Sequence, residues 1–234
     1  MAVSIDNVYQ KVLAITNKEQ RGYITPQEFN LFANQAQMSI FEQYFYDLNQ
    51  FIRVPGNDTA YSDVVNILEE KIALFEKSGV TIGGGTTLPN DLYKLSLVKW
   101  LNPIENKNYT VEYVTRKEWF EMKDVELVKP TDNRLIYIRN RNGISVIGNT
   151  GKNTGVTCDY VAVPKTPKWT YIVVDEKALY NPDAADHQNF QLHVSEQTQL
   201  VEKILQLAGV TLKDPSLYQI GSAEENKSIQ QQKA

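Results

Sequence analysis

The chain has 234 residues, 42% apolar and 22% charged, with a mean hydropathy of -0.39; this is ordinary composition for a globular protein of one large domain or two small ones. A net charge of -4 and a pI near 5.3 argue against general affinity for nucleic acid or an anionic membrane. A single cysteine, Cys158, excludes an internal disulfide and fits assembly in a reducing cytoplasm.

Met1 is followed by Ala-Val-Ser-Ile-Asp, without a basic or an apolar leader region, which predicts no secretory signal. No apolar run approaches a membrane span. Ser4 predicts the cap of a first helix reaching about Thr16, with Ile5, Val8, Val12 and Ile15 at helical spacing. A polar connection up to Gly22 follows. Residues 24–52 then carry the strongest local signal in the chain. Thr25 as N-cap, Pro26 at the first helical position and Glu28 two residues on form a capping box, and no Gly or Pro interrupts until Pro55. Phe29, Ala33, Ala36, Ile40, Tyr44 and Phe51 predict a core stripe. Phe41, Phe45 and Ile52 form a second apolar line, which asks for a second partner. The polar positions are mostly Asn and Gln, able to donate and accept at a half-buried surface without the desolvation cost of ions.

The Pro-Gly cluster after Arg53 predicts a turn. Ser62 is the expected cap of a third helix bearing Val64, Ile67, Leu68, Ile72 and Phe75 and ended by Gly79. The run from Ile82 through Gly83, Gly84, Gly85 and Pro89 reads as a linker. Beyond it the period changes to two. Tyr93, Leu95 and Leu97 predict one strand, and Tyr109, Val111 and Tyr113 the next. Thr115 and Glu118 form another capping box, for a short helix carrying Trp119, Phe120 and Met122. Further strands are expected over residues 134–139, 144–147, 156–163 and 169–174, with Asn142-Gly143 as a type I′ turn. Residues 180–186 read as a loop. Ser195 caps a last helix with Val201, Ile204, Leu205 and Ala208 on one face and Gly209 at its end. The segment from Gly221, rich in Ser, Glu, Lys and Gln, is expected to order only on contact with a partner.

The predicted fold class is therefore α+β. An N-terminal antiparallel helical bundle (1–80) and a Gly/Pro linker (81–90) precede an antiparallel β-sandwich or open barrel with a short inserted helix (91–180). A loop and a helix packing back on the body (181–220) and a terminal tail (221–234) complete the chain.

Reactive constellations are sparse. The Gly148 to Gly155 loop has Lys152 after a glycine, but Val146 stands where a phosphate loop needs its first Gly, and strand rather than helix follows. His187 and His193, with Asp183 and Asp186 nearby, match no metal-ligand spacing. Cys158 lies in an apolar strand and reads as core. Arg134, Arg139 and Arg141, on and beside a hairpin, are the candidates for phosphate contact. Trp100, Trp119, Tyr113 and Trp169 offer aromatic surface for a carbohydrate-binding module or a small enzyme. No catalytic residue, metal site or cofactor is predicted.

Three stretches taken together carry a resemblance: residues 17–30 (NKEQRGYITPQEFN), 160–171 (YVAVPKTPKWTY) and 195–209 (SEQTQLVEKILQLAG). In this order and spacing the chain resembles virion structural proteins of tailed bacteriophages, notably short-tailed crAss-like phages and marine relatives. The resemblance implies a non-enzymatic ring protein of the head-to-tail neck, or another tail or minor virion component. It would be made in the host cytoplasm and located in the virion. Its expected partners are copies of itself in a closed ring, the portal, other neck or tail proteins, and DNA passing without sequence-specific binding; no membrane is expected. A ring needs head-to-tail contacts that close by rotation. The residues expected at such an interface are Phe41, Phe45, Tyr46 and Ile52 on the long helix and Ile229 in the tail.

Overall fold

Two units account for the chain. A helical unit is assembled from Met1–Leu74 and Pro164–Ala234, and a β unit, Phe75–Val163, is inserted between those halves. The computed structural model describes residues 2–18, 24–53, 63–83, 86–103, 105–132, 134–141, 143–148, 155–211 and 223. The class is mixed α+β, as expected.

The chain begins with β1 (Ala2–Val3), α1 (Ile5–Lys18), α2 (Pro26–Arg53) and α3 (Asp63–Ala73). The β unit contributes β2 (Glu76–Thr81), β3 (Leu92–Asn102), β4 (Lys107–Tyr113), α4 (Arg116–Met122), β5 (Ile136–Asn140), β6 (Gly143–Ile147) and β7 (Val156–Ala162). The helical unit resumes with the hairpin β8 (Tyr171–Val174) and β9 (Lys177–Tyr180), then β10 (Phe190–His193), a 3-10 turn (Val194–Glu196) and α5 (Gln197–Thr211).

The helix starts form as the residue types dictate. Thr25 N donates to Glu28 Oε2 at 2.9 Å and Glu28 N to Thr25 Oγ1 at 3.3 Å, completing the box that opens α2. Ser4 Oγ accepts from Asn7 N at 3.4 Å at the start of α1, and Ile5 N is taken by Asn189 Oδ1 at 3.0 Å, a cap from the far end of the sequence. Phe29, Ala33, Ala36, Ile40 and Tyr44 of α2 are buried, worth about 1.5–3 kcal/mol for each large apolar side chain. The C-terminal helix packs back as expected: α5 lies against α1 and α2 with Leu200, Val201, Ile204, Leu205 and Ala208 buried.

The amides of α2 have a specific task. Asn30 Oδ1 accepts from Trp169 N at 2.8 Å while its Nδ2 donates to Trp169 O at 3.1 Å. About two turns further along the same face, Gln37 Nε2 donates to Lys165 O at 2.9 Å and its Oε1 accepts from Gln191 N at 3.0 Å. These two residues pair with main chain as a neighbouring strand would, so the Lys165 carbonyl and both backbone groups of Trp169 are satisfied on α2. They anchor Trp169, whose ring is buried 4.2 Å from Tyr9 and whose Nε1 donates to Asp6 Oδ1 at 3.0 Å. Two of the neutral amides of α2 are thus committed to the chain's own backbone.

In the β unit the strand order is β2-β7-β3-β4-β5-β6. All pairs are antiparallel except β4 and β5, which the α4 crossover joins, as a parallel pair requires. The outer ends meet. Gly83 bridges Thr87, Thr87 bridges Gly143, and Ile144 N donates to Thr86 O at 2.8 Å. The sheet is therefore an open barrel around Ile82, Leu95, Val98, Trp100, Leu135 and Tyr137, rather than a sandwich. Gly143 is required there, because a Cβ would fall 1.7 Å from Thr86 O.

Several expectations are corrected. The third helix stops at Ala73, and Phe75 and Gly79 belong to the β unit. Gly79, at φ +68, sits where the register of β2 on β7 shifts, so its left-handed backbone marks a bulge rather than a helix end. The expected linker is instead part of the barrel closure at Gly83, Thr86 and Thr87; the units divide after Leu74 and after Val163. Residues 164–180, expected in the β domain, belong to the helical unit. In the β5–β6 hairpin Asn140 faces Gly143, so Gly143 is the first strand residue and the two-residue loop starts at Arg141. Strands β1, β2, β9 and β10 escaped the pattern, and α5 runs through Gly209 to Thr211. Ser62, Asn142, the connection at Gly22 and the tail from Gly221 lie outside the described residues, Ala223 excepted.

Candidate functional site

The structure separates the residues expected at an interface. Phe41 is 0% exposed and edge-to-face with Phe45 at 5.2 Å. It is core, so its place among the interface residues is withdrawn: a side chain already removed from water has nothing left to give a partner. Phe45 is half-buried, and Tyr46, 65% exposed, is open to contact. The Ile52 side chain and Ile229 lie outside the described residues.

The arginines regroup. Arg134 turns to Glu112, 3.5 Å away, and leaves the set. Arg139 lies 5.3 Å over the exposed ring of Tyr113, which in turn packs on Tyr137 at 5.4 Å. Arg141 follows at the hairpin loop. Arg116 joins them, its Nη2 donating to Asn140 Oδ1 at 2.8 Å. Sequence reading missed Arg116, which sits 23 residues upstream at the first turn of α4; only the parallel pairing of β4 with β5 brings that turn to the end of β5. Among the described residues no carboxylate pairs with Arg116, Arg139 or Arg141. One helical turn from Arg116, Phe120 is 68% exposed with Lys123 Nζ 4.1 Å over its ring. The result is a cationic surface with two aromatic rings in it.

The β8–β9 hairpin presents the opposite character. Tyr171 and Tyr180 stack on Trp169 at 5.7 and 5.8 Å and fix its base. Beyond them Ile172, Val173, Val174 and Leu179 are exposed, Val173 at 66%. The turn is Asp175-Glu176, with φ of +48° and +62°. Both stand in the left-handed region that Asn-Gly fills at least cost in such hairpins. Among the described residues neither acid has a cation partner.

A third cluster is structural. Glu196 is buried and held by Lys71 Nζ at 2.6 Å, tying α3 to the turn before α5. The Tyr44 hydroxyl is buried beside them without a well-formed hydrogen bond, and burial first, then the Glu196 charge, push it well above its usual range. Ser195 Oγ donates to Glu196 Oε1 at 3.2 Å and lies 2.9 Å from His193 Nδ1, which also accepts from Ser195 N as the cap of the 3-10 turn. The cavity at this point, about 20 Å³, holds no more than a water-sized guest. A histidine spent on capping and a serine directed at a buried carboxylate do not form a nucleophile–base pair.

The remaining candidates are placed as follows. Cys158 is buried in the barrel core, where burial raises its thiol pKa. His187 meets Tyr180 Oη at 2.9 Å and Asp186 pairs with Lys168, apart from His193. Among the described residues no three His, Cys, Asp or Glu gather as metal ligands would, and no helix is long and apolar enough to cross a membrane. Trp100 and Trp169 are buried, which removes two of the four aromatics from any carbohydrate platform. Residues 149–154 lie outside the described residues; β6 and β7 flank them. No protein-family model matches the chain, and no curated protein matches it either.

Proposed function

We propose that this chain is a ring-forming virion structural protein of a tailed bacteriophage, a neck component linking the portal to the tail around the DNA passage. The observation that carries the self-assembly is that each unit keeps a separate exposed surface of its own. The helical unit has the apolar β8–β9 hairpin, and the β unit has the Tyr113–Phe120 surface with its arginines. Two unlike surfaces on one chain favour head-to-tail association, which closes into a ring when the rotation allows. The virion assignment is supported by the three stretches that resemble virion structural proteins of tailed bacteriophages. One covers the capping box of α2, one runs from the end of β7 into the segment clamped by Asn30 and Gln37, and one covers most of α5. In this reading portal and tail proteins are the axial partners, and DNA slides through without sequence-specific contact.

Native mass spectrometry and negative-stain imaging of the full chain, alone and with portal, test the reading. A closed ring of defined copy number is expected. A strictly monomeric protein that is absent from purified virions of the encoding phage rules it out.

A further inference from the structure

We propose that neighbouring copies are joined by the β8–β9 hairpin of one copy seated on the Arg116, Arg139 and Arg141 surface of the next, acidic turn against arginines and apolar shank against Tyr113 and Phe120. This contact rests on the ring reading and specifies it.

The hairpin needs a partner. A two-stranded ribbon is marginal in water by itself, and this one is apolar on both faces beyond its base. Ile172 faces Leu179 across the ladder on one side, and Val173 faces Ala178 on the other. A ribbon lying along its own unit would show one polar face; here both are exposed. The turn adds a second observation. Asp175 and Glu176 occupy two consecutive left-handed positions, of which aspartate tolerates the first but glutamate does not favour the second. Keeping a glutamate beside Asp175 where glycine would fold more readily indicates that the acidic turn is used for its charge.

The occupant follows from complementarity. At the end of an apolar shank the hairpin offers two carboxylates without a cation partner among the described residues. The β unit offers three guanidinium groups without a carboxylate partner among the described residues, beside two exposed rings. Arginine forks pair with carboxylates in bidentate fashion, and their planes stack on tyrosine. A nucleic-acid phosphate would satisfy the arginines as well but would leave the apolar shank in water, so a second copy of this chain is the better fit. The two surfaces differ, hence the contact is heterologous and repeats around a ring.

Charge exchange on the full chain tests it. Asp175→Arg with Glu176→Arg, and separately Arg139→Glu with Arg141→Glu, should each lower the ring population at least about tenfold at moderate salt. Mixing the two variants should restore mixed oligomers. Asp175→Asn with Glu176→Gly improves the turn, so its melting temperature should hold or rise while the ring is lost, which separates assembly from folding. With Val173→Cys and Tyr113→Cys in one chain, oxidation should give a ladder of cross-linked copies. A wild-type ring that tolerates every exchange, or a cross-link confined to one chain, overturns the contact and leaves the ring reading standing. An arginine variant that loses affinity for a short oligonucleotide but keeps the ring assigns the surface to nucleic acid instead. A wild type that stays monomeric in solution and is missing from virions removes the ring reading and this contact together.

Discussion

Phe41 and Tyr46, five residues apart on α2, define what a substitution can report. Phe41 is wholly buried against Phe45 and its surroundings, so Phe41→Ala should cost about 3–5 kcal/mol in urea unfolding through transfer and cavity terms. Phe41→Asp should prevent folding, and its effect on assembly is then secondary. Tyr46→Asp should change monomer stability by less than about 0.5 kcal/mol; a large loss would mean the ring is covered within its own subunit. In the β unit, Lys99 beside Asp159, helped by Gly79 N, holds that carboxyl below its ordinary 3.8. Lys77 and then Tyr160 hold Asp91 down in the same way. A depressed folded-state pKa gives stability that is present above the unfolded value and lost as pH falls through the folded one. Thermal stability should therefore fall progressively below pH 3.8, and Asp159→Asn should flatten that slope. An unchanged acid profile in the variant would show that Asp159 does not contribute to it.

At the scale of elements, the two clamps of α2 and the barrel closure make separate predictions. Gln37→Met keeps length and shape but abandons Lys165 O and Gln191 N, at about 1–3 kcal/mol for each backbone group left unpaired; loss of amide protection at Gln191 in hydrogen exchange would locate the damage. Gly143→Ala must push Thr86 away and should cost at least about 1–3 kcal/mol, read as a lower melting temperature of the β unit. What the sequence revealed of these elements depended on how local their causes are. Both Thr-Glu capping boxes act within four residues and were readable, as was the apolar stripe of α2. The β8–β9 hairpin was not, because its Asp-Glu turn lacks the glycine or asparagine that marks such turns. Strand β2 was hidden by a bulge glycine that resembles a helix stop. In β3 the bulge after Leu95 moves the buried positions to Val98 and Trp100, so simple alternation fails part-way along. The candidate surface was half legible: Arg139 and Arg141 adjoin in sequence, whereas Arg116 arrives only through parallel strand pairing. The Asn and Gln positions of α2 were readable as amides at a half-buried surface, but nothing local says that the backbone Asn30 and Gln37 serve lies more than a hundred residues ahead.

For the whole molecule, the decisive fact is that one unit interrupts the other. The β unit begins and ends side by side: Glu76 pairs with Val161, and Ala162 N donates to Phe75 O at 2.8 Å. A fragment of residues 75–163 should therefore fold cooperatively by itself, with a sigmoidal denaturant curve and dispersed NMR amide signals; a disordered fragment would mean that its core depends on the rest of the chain. The helical unit has no such independence in its first 74 residues, because α1 and α2 close their core only around Trp169, Phe190 and α5. Synthesis on the ribosome delivers those pieces last. The inserted unit can finish while α1–α3 are still waiting, so the order of maturation runs opposite to the order of translation, and the Phe29–Ile40 face of α2 is the newborn surface in longest need of a chaperone.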